Sequence, residues 1–94
     1  MLSTSNYNIF INNTAISNTY GVILDSSSDN LLISNNASNN NIGFALADST
    51  NNNVTNNSGI SNVYGFGLVN SNGSKFIGNN AERNQYGFFV NGTS

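Results

Sequence analysis

Six side chains carry every charge in this 94-residue chain: Asp25, Asp29, Asp48, Glu82, Lys75 and Arg83. Asp25 and Asp48 are 23 positions apart, and glycine recurs every 22 at Gly21, Gly43, Gly65 and Gly87. In a stack of 22-residue coils the two carboxylates would sit on neighbouring coils, about 5–7 Å apart. Glycosidases of both stereochemical outcomes use paired carboxylates at such distances. Asp25, Asp29 and Asp48 together would alternatively offer a loose oxygen site for calcium. Against both readings, no Arg, Lys or His falls beside them in the stack, and no Asp-Asp or His-Gly motif occurs. Solvated turn residues are therefore the expected reading of this weak carboxylate cluster. Glu82 and Arg83 are adjacent, point apart on a strand and read as surface charge.

Other chemistries lack their residues. With no Cys and no His, the chain has no disulfide, Cys/His zinc site, thiol nucleophile or imidazole base. Charged residues are 6% of the chain and the net charge is -2, against roughly 25% charged residues in ordinary soluble proteins. Lys75 and Arg83 make no basic footprint for nucleic acid and no polybasic membrane patch. No apolar run approaches the roughly 18 residues of a membrane span, and no signal-peptide pattern follows Met1. The expectation is a non-enzymatic chain with no catalytic residue, metal or cofactor.

The elements that would position any site follow from the period, since a fixed repeat of this size marks a repeat architecture. In rows of 22, one column is Tyr20, Ile42, Tyr64, Tyr86; the glycines follow; then come Val22, Phe44, Phe66, Phe88, and two residues on, Leu24, Leu46, Leu68, Val90. Apolar residues at three alternate positions predict a strand with one buried face. That places the Tyr column with the Phe column in the core. The intervening column, Ile23, Ala45, Gly67, Phe89, varies in size and is expected to face outward. A second strand carries Phe10, Leu32, Val54, Phe76, and a third the small column Ala15, Ala37, Gly59, Ala81. The expected core is Phe10, Leu24, Leu32, Phe44, Leu46, Val54, Phe66, Leu68, Phe76 and Phe88.

Three short strands per 22 residues, with no helix-length stretch, predict an all-β, right-handed parallel β-helix of about four coils spaced by roughly 4.8 Å. Residues 1–94 form one repeat domain, expected to be a segment of a longer solenoid. The leucine-rich repeat is the competing architecture, but it needs several leucines per repeat, and only one column here is mainly Leu.

Two rows of asparagine keep the period: Asn13, Asn35, Asn57, Asn79 and Asn18, Asn40, Asn62, Asn84. A buried turn leaves backbone groups unpaired, at about 1–3 kcal/mol each. An inward Asn can satisfy the turn and bond the Asn above it, which predicts asparagine ladders. Ser5, Ser27, Ser49, Ser71 and then Thr93 form a comparable hydroxyl row.

The row G-[VF]-x-[LV]-x-x-[ST] followed by N-x-[LV]-x-x-N, best seen from Gly21 to Asn35 and Gly43 to Asn57, resembles the right-handed parallel β-helix repeats of the CASH type. Those repeats occur in carbohydrate-binding proteins, sugar hydrolases and NosD-like periplasmic proteins. The resemblance implies the fold over nearly the whole chain, from about Ser5 to Thr93, and the matched residues are all structural. Its copper association meets only Met1 as a soft donor, since soft copper sites use Cys, Met or His, so copper is not expected here.

The functional expectation is a structural or interaction module of an extracellular or cell-surface β-solenoid. Its partners would be other coils or copies of itself, stacked end to end, and polysaccharide; nucleic acid and membrane insertion are not expected. Tyr20, Tyr64 and Tyr86 with Phe44, Phe66 and Phe88 offer rings that could stack on sugars, set against their expected place in the core. The alternative is a non-catalytic fragment of a polysaccharide-active lyase, hydrolase or epimerase whose catalytic residues lie elsewhere. Six N-x-[ST] sequons begin at Asn12, Asn36, Asn53, Asn56, Asn72 and Asn91, which so Asn-rich a chain produces by chance.

Overall fold

The computed structural model describes residues 1–92; Thr93, expected to close the serine row, lies outside the described residues. Alternating apolar positions give strands, and the strands stack at the 22-residue period. The longer ones are β4 (Tyr20–Asp25), β7 (Ile42–Ala47), β10 (Tyr64–Val69) and β13 (Tyr86–Asn91), with the two-residue β1 (Leu2–Ser3) at the N-terminal edge. They form one sheet in the order β1-β4-β7-β10-β13. A second sheet, β11-β8-β5-β2, contains β2 (Ile9–Ile11), β5 (Leu31–Ile33), β8 (Asn53–Thr55) and β11 (Lys75–Ile77). The third, β12-β9-β6-β3, contains β3 (Thr14–Ile16), β6 (Asn36–Ser38), β9 (Ser58–Ile60) and β12 (Asn80–Glu82). All pairings are parallel and one repeat apart, as in Phe10↔Leu32↔Val54↔Phe76. The result is the expected parallel β-solenoid of about four coils with three strands per coil. No helix occurs among the described residues.

Corners turn the chain between sheets. In the second coil Ser26, Asp29, Ser34 and Asn39 have φ of 50°, 58°, 56° and 57°. Each immediately precedes a buried polar residue: Ser27, Asn30, Asn35 and Asn40. The left-handed residue bends the backbone so that the next side chain enters the stack. Asn and Asp tolerate this conformation better than other side chains, and Gly has no penalty there. The same corners hold Gly73, Gly78 and Gly92 in later coils.

The core consists of Val22, Leu24, Leu32, Ala37, Phe44, Leu46, Val54, Phe66 and Leu68, with Leu2, Phe10, Phe76 and Ala81 half-covered against it. Phe44, Phe66 and Phe88 stack with ring centroids 4.9 Å apart at each step, and Phe76 meets Phe66 edge-on at 5.9 Å. Phe88, expected in the core, is 52% exposed, because it belongs to the last described coil and is covered from one side only.

The Tyr column departs from expectation. Tyr20, Ile42, Tyr64 and Tyr86 are half-buried or exposed, and three of them line an outer groove. Strict alternation fails at the glycines: Gly43 and Phe44 are both buried, as are Gly65 and Phe66. Two successive inward residues rotate the residue before them outward. Gly21, Gly43 and Gly65 stand there because a Cβ would meet the carbonyl oxygen of the glycine one coil on, at 2.6, 2.7 and 2.8 Å. Real Cβ atoms do not come so close.

Candidate functional site

The repeated polar residues hold the coils together. In the first expected ladder, the main-chain N–H groups of Asn13, Asn35 and Asn57 donate to Oδ1 of the asparagine one coil on, at 2.9, 2.8 and 2.9 Å. The side-chain amides of Asn35, Asn57 and Asn79 donate backwards, to the carbonyls of Phe10, Leu32 and Val54 at 2.9, 2.9 and 2.7 Å. The second ladder repeats this: the N–H groups of Asn18, Asn40 and Asn62 reach the next Oδ1 at 2.8 Å each. Asn40, Asn62 and Asn84 bond the carbonyls of Ala15, Ala37 and Gly59. Asn35, Asn40, Asn57 and Asn62 are buried, and Asn13 and Asn18 in the first coil are exposed.

A third asparagine ladder escaped the sequence reading. The N–H groups of Asn8 and Asn30 donate to Oδ1 of Asn30 and Asn52 at 2.8 Å, and that of Asn52 to Ser74 Oγ at 3.2 Å. The spacing of Asn8, Asn30 and Asn52 carried the signal, but Ser74 ends the row. The fourth corner is the serine row. Ser5, Ser27 and Ser49 donate through N–H to the next Oγ at 3.0, 2.9 and 3.1 Å. Amides and hydroxyls so engaged do not titrate and supply no general acid or base.

The carboxylates are corner and edge residues. Asp29 and Asp48 have φ of 58° and 48° and occupy different corners, so the left-handed backbone explains their residue type. Asp48 Oδ1 accepts from Asn70 Nδ2 at 3.2 Å, and Asp25 Oδ1 from Ser26 Oγ at 3.4 Å. Asp25 ends β4 in register with Ala47, which leaves Asp48 one residue further along the next coil. Among the described residues no three of His, Cys, Asp and Glu stand together as a metal site would need.

All three sheets have open outer faces, with Ile9, Ile11, Ile16 and Ile77 exposed on the two short-strand sheets, and a groove lies on the outer face of the long-strand sheet. Three columns run up it: Tyr20, Ile42, Tyr64; Ile23, Ala45, Gly67, Phe89; and Ala47, Val69. They enclose a groove of about 300 Å³. Along the middle column the side chains shrink from Ile23 to Gly67 and end at the wall of Phe89. Tyr64 stacks on Tyr86 at 5.1 Å and meets Phe89 edge-on at 5.7 Å. No charged side chain lines the groove. The sugar-stacking expectation groups the Tyr and Phe columns; the structure separates them, with Phe44 and Phe66 inside and Tyr20 and Tyr64 outside.

Parallel strands in register, ladders at every corner and one open aromatic face define a β-solenoid repeat module. The chain belongs to the NosD family: it matches the family described as periplasmic copper-binding protein (NosD) over residues 1–94. No curated protein and no solved structure matches it. The donor set of this chain does not fit copper. It has no Cys or His, and its single Met, Met1, is 74% exposed with no soft partner, whereas copper sites are built from several thiolate, thioether or imidazole ligands. No described helix is long and apolar enough to cross a membrane.

Proposed function

We propose that this chain is a non-catalytic structural and interaction module of an extracytoplasmic β-solenoid, and that its long-strand outer face binds polysaccharide. The observation that carries this reading is the division of labour among the columns. Asn and Ser rows hold coil to coil, and the outer face of the long-strand sheet carries an uncharged groove edged by Tyr20 and Tyr64. A tyrosine ring presents an apolar face with a polar hydroxyl at its tip, which suits a sugar ring's C–H face and its hydroxyl rim. The columns also repeat about every 4.8 Å along the stack, and a repeating surface suits a repeating polymer. Other coils of the same pattern are the proposed partners, joined through the same ladders.

Sedimentation of the chain with insoluble cellulose, chitin and mannan tests the binding. Co-sedimentation with at least one is expected, with no release of reducing ends over prolonged incubation. A chain that stays in the supernatant with all three, or that cuts any of them, refutes the proposal.

A further inference from the structure

One glycine on the floor of the groove has no structural reason to be glycine. At Gly21, Gly43 and Gly65 a Cβ would collide with a backbone carbonyl within 2.8 Å. Gly73, Gly78 and Gly92 hold left-handed corners. Gly67 does neither: its φ lies outside the left-handed region, and the nearest atom to a Cβ there is the Phe44 carbonyl oxygen at 4.0 Å. Glycine within a strand weakens it, and often marks a place where a ligand or another backbone comes close. Gly67 lies between Ala45 and Phe89 in register, beside Tyr64. Its missing side chain leaves open space on the lining of the groove.

We infer that Gly67 is the seat of one sugar ring of an uncharged polysaccharide, with the ring's C–H face on Gly67 and Ala45 and its edges against Tyr64 and Phe89. This rests on the polysaccharide reading above and narrows it. Charge selects the class. Neither cation lines the groove: Lys75 belongs to β11 in another sheet and Arg83 to a corner. The carboxylates nearest in the strand pattern are Asp25, in register with the lining residue Ala47, and Asp48, which follows Ala47. A uronate or sulfated sugar would find no cation there and two like charges, whereas a neutral sugar loses nothing. The volume of about 300 Å³ is at the small end of ligand sites, which run from about 300 to 1,000 Å³, and suits a single ring rather than a long segment.

Affinity electrophoresis of the full chain through gels containing hydroxyethylcellulose, galactomannan or polygalacturonate tests this. Retardation by at least one neutral polymer and none by polygalacturonate is expected. Gly67→Val fills the seat with a residue suited to strands. It should weaken the retardation at least tenfold while the thermal midpoint stays at or above that of the parent. Ala45→Leu, which crowds the same floor from the neighbouring coil, should do likewise and serves if Gly67→Val unfolds. Unchanged retardation of both variants overturns the seat and leaves polysaccharide binding standing. Equal or stronger retardation by polygalacturonate overturns the selectivity. Failure of the parent chain to be retarded by any polymer overturns both readings.

Discussion

Asn84 fills the space that a side chain on Gly65 would need: a Cβ there would lie 2.7 Å from Asn84 Nδ2 and 2.8 Å from the Gly87 carbonyl oxygen. The second asparagine ladder and the glycine column are therefore one packing unit. Gly65→Ala is expected to destabilise the fold by about 1–3 kcal/mol, the usual effect of forcing volume into a packed interior. Gly67→Ala, two residues along the same strand, should be neutral or stabilising by up to about 1 kcal/mol, since glycine is disfavoured within strands. Urea denaturation of both variants checks the pair, and equal losses would mean that the inward rotation at Gly65 is wrongly placed.

Asn57 and Asn56 are neighbours with different duties. Asn57 is buried and bonds Leu32, Asn35 and Asn79, so Asn57→Leu leaves several groups unpaired at about 1–3 kcal/mol each. Asn56 is exposed but has φ 54°, so Asn56→Leu should still lose about 1–2 kcal/mol from the left-handed backbone. Asn56→Gly should lose nothing, because the next coil already has Gly78 at that corner. Melting temperatures should rank the parent and Asn56→Gly above Asn56→Leu, and Asn57→Leu lowest.

Phe66 lies between Phe44 and Phe88 and is fully buried. Phe66→Ala is expected to cost about 3–5 kcal/mol. Phe88→Ala, at a half-exposed site, should cost clearly less. A matched loss in chemical denaturation would mean that Phe88 is covered in solution.

End-to-end joining of copies has a register to satisfy. For a second copy to continue both ladders, its Asn13 and Asn18 must follow Asn79 and Asn84 by 22 residues. Residue n of the copy then takes place n + 88, so its residues 1–4 fall where residues 89–92 already lie. The copy must lift β1, which pairs through only Leu2 and Ser3. The 94-residue chain is thus expected to associate weakly, and a variant lacking residues 1–6, four whole coils long, to associate at lower concentration. Sedimentation velocity across a concentration series compares them; equal association of the two would refute the register argument.

The period made the coil, the strands, two ladders and most of the core legible from sequence, because each depends on one residue type recurring at a fixed interval. Three features did not follow from that rule. The ladder of Asn8, Asn30 and Asn52 changes type at Ser74. Alternation assigns Tyr64 to the core, and only the packing of Gly65 against Asn84 turns it outward. The seat at Gly67 is one member of a column that reads Ile, Ala, Gly, Phe, so its meaning lies in departing from a pattern. Columns record what every coil needs; a site belongs to one coil.

The ladders also give the stack a direction. Sheet hydrogen bonds run both ways, as in Thr4 N–H to Asp25 O and Leu31 N–H to Asn8 O, and their dipoles largely cancel. The main-chain N–H bonds of all four corner rows run one way, from each coil toward the next. The asparagine Oδ1 atoms that accept them face back toward the N-terminal coil. The carbonyls of the same residues point the same way, as in Asn36 N–H to Asn13 O and Asn80 N–H to Asn57 O, so each ladder residue presents both a donor and an acceptor to the coil that follows it. The two ends of the stack are therefore not interchangeable: a coil added after Asn79 and Asn84 must bring amide oxygens to meet their N–H groups, so copies can join only head to tail.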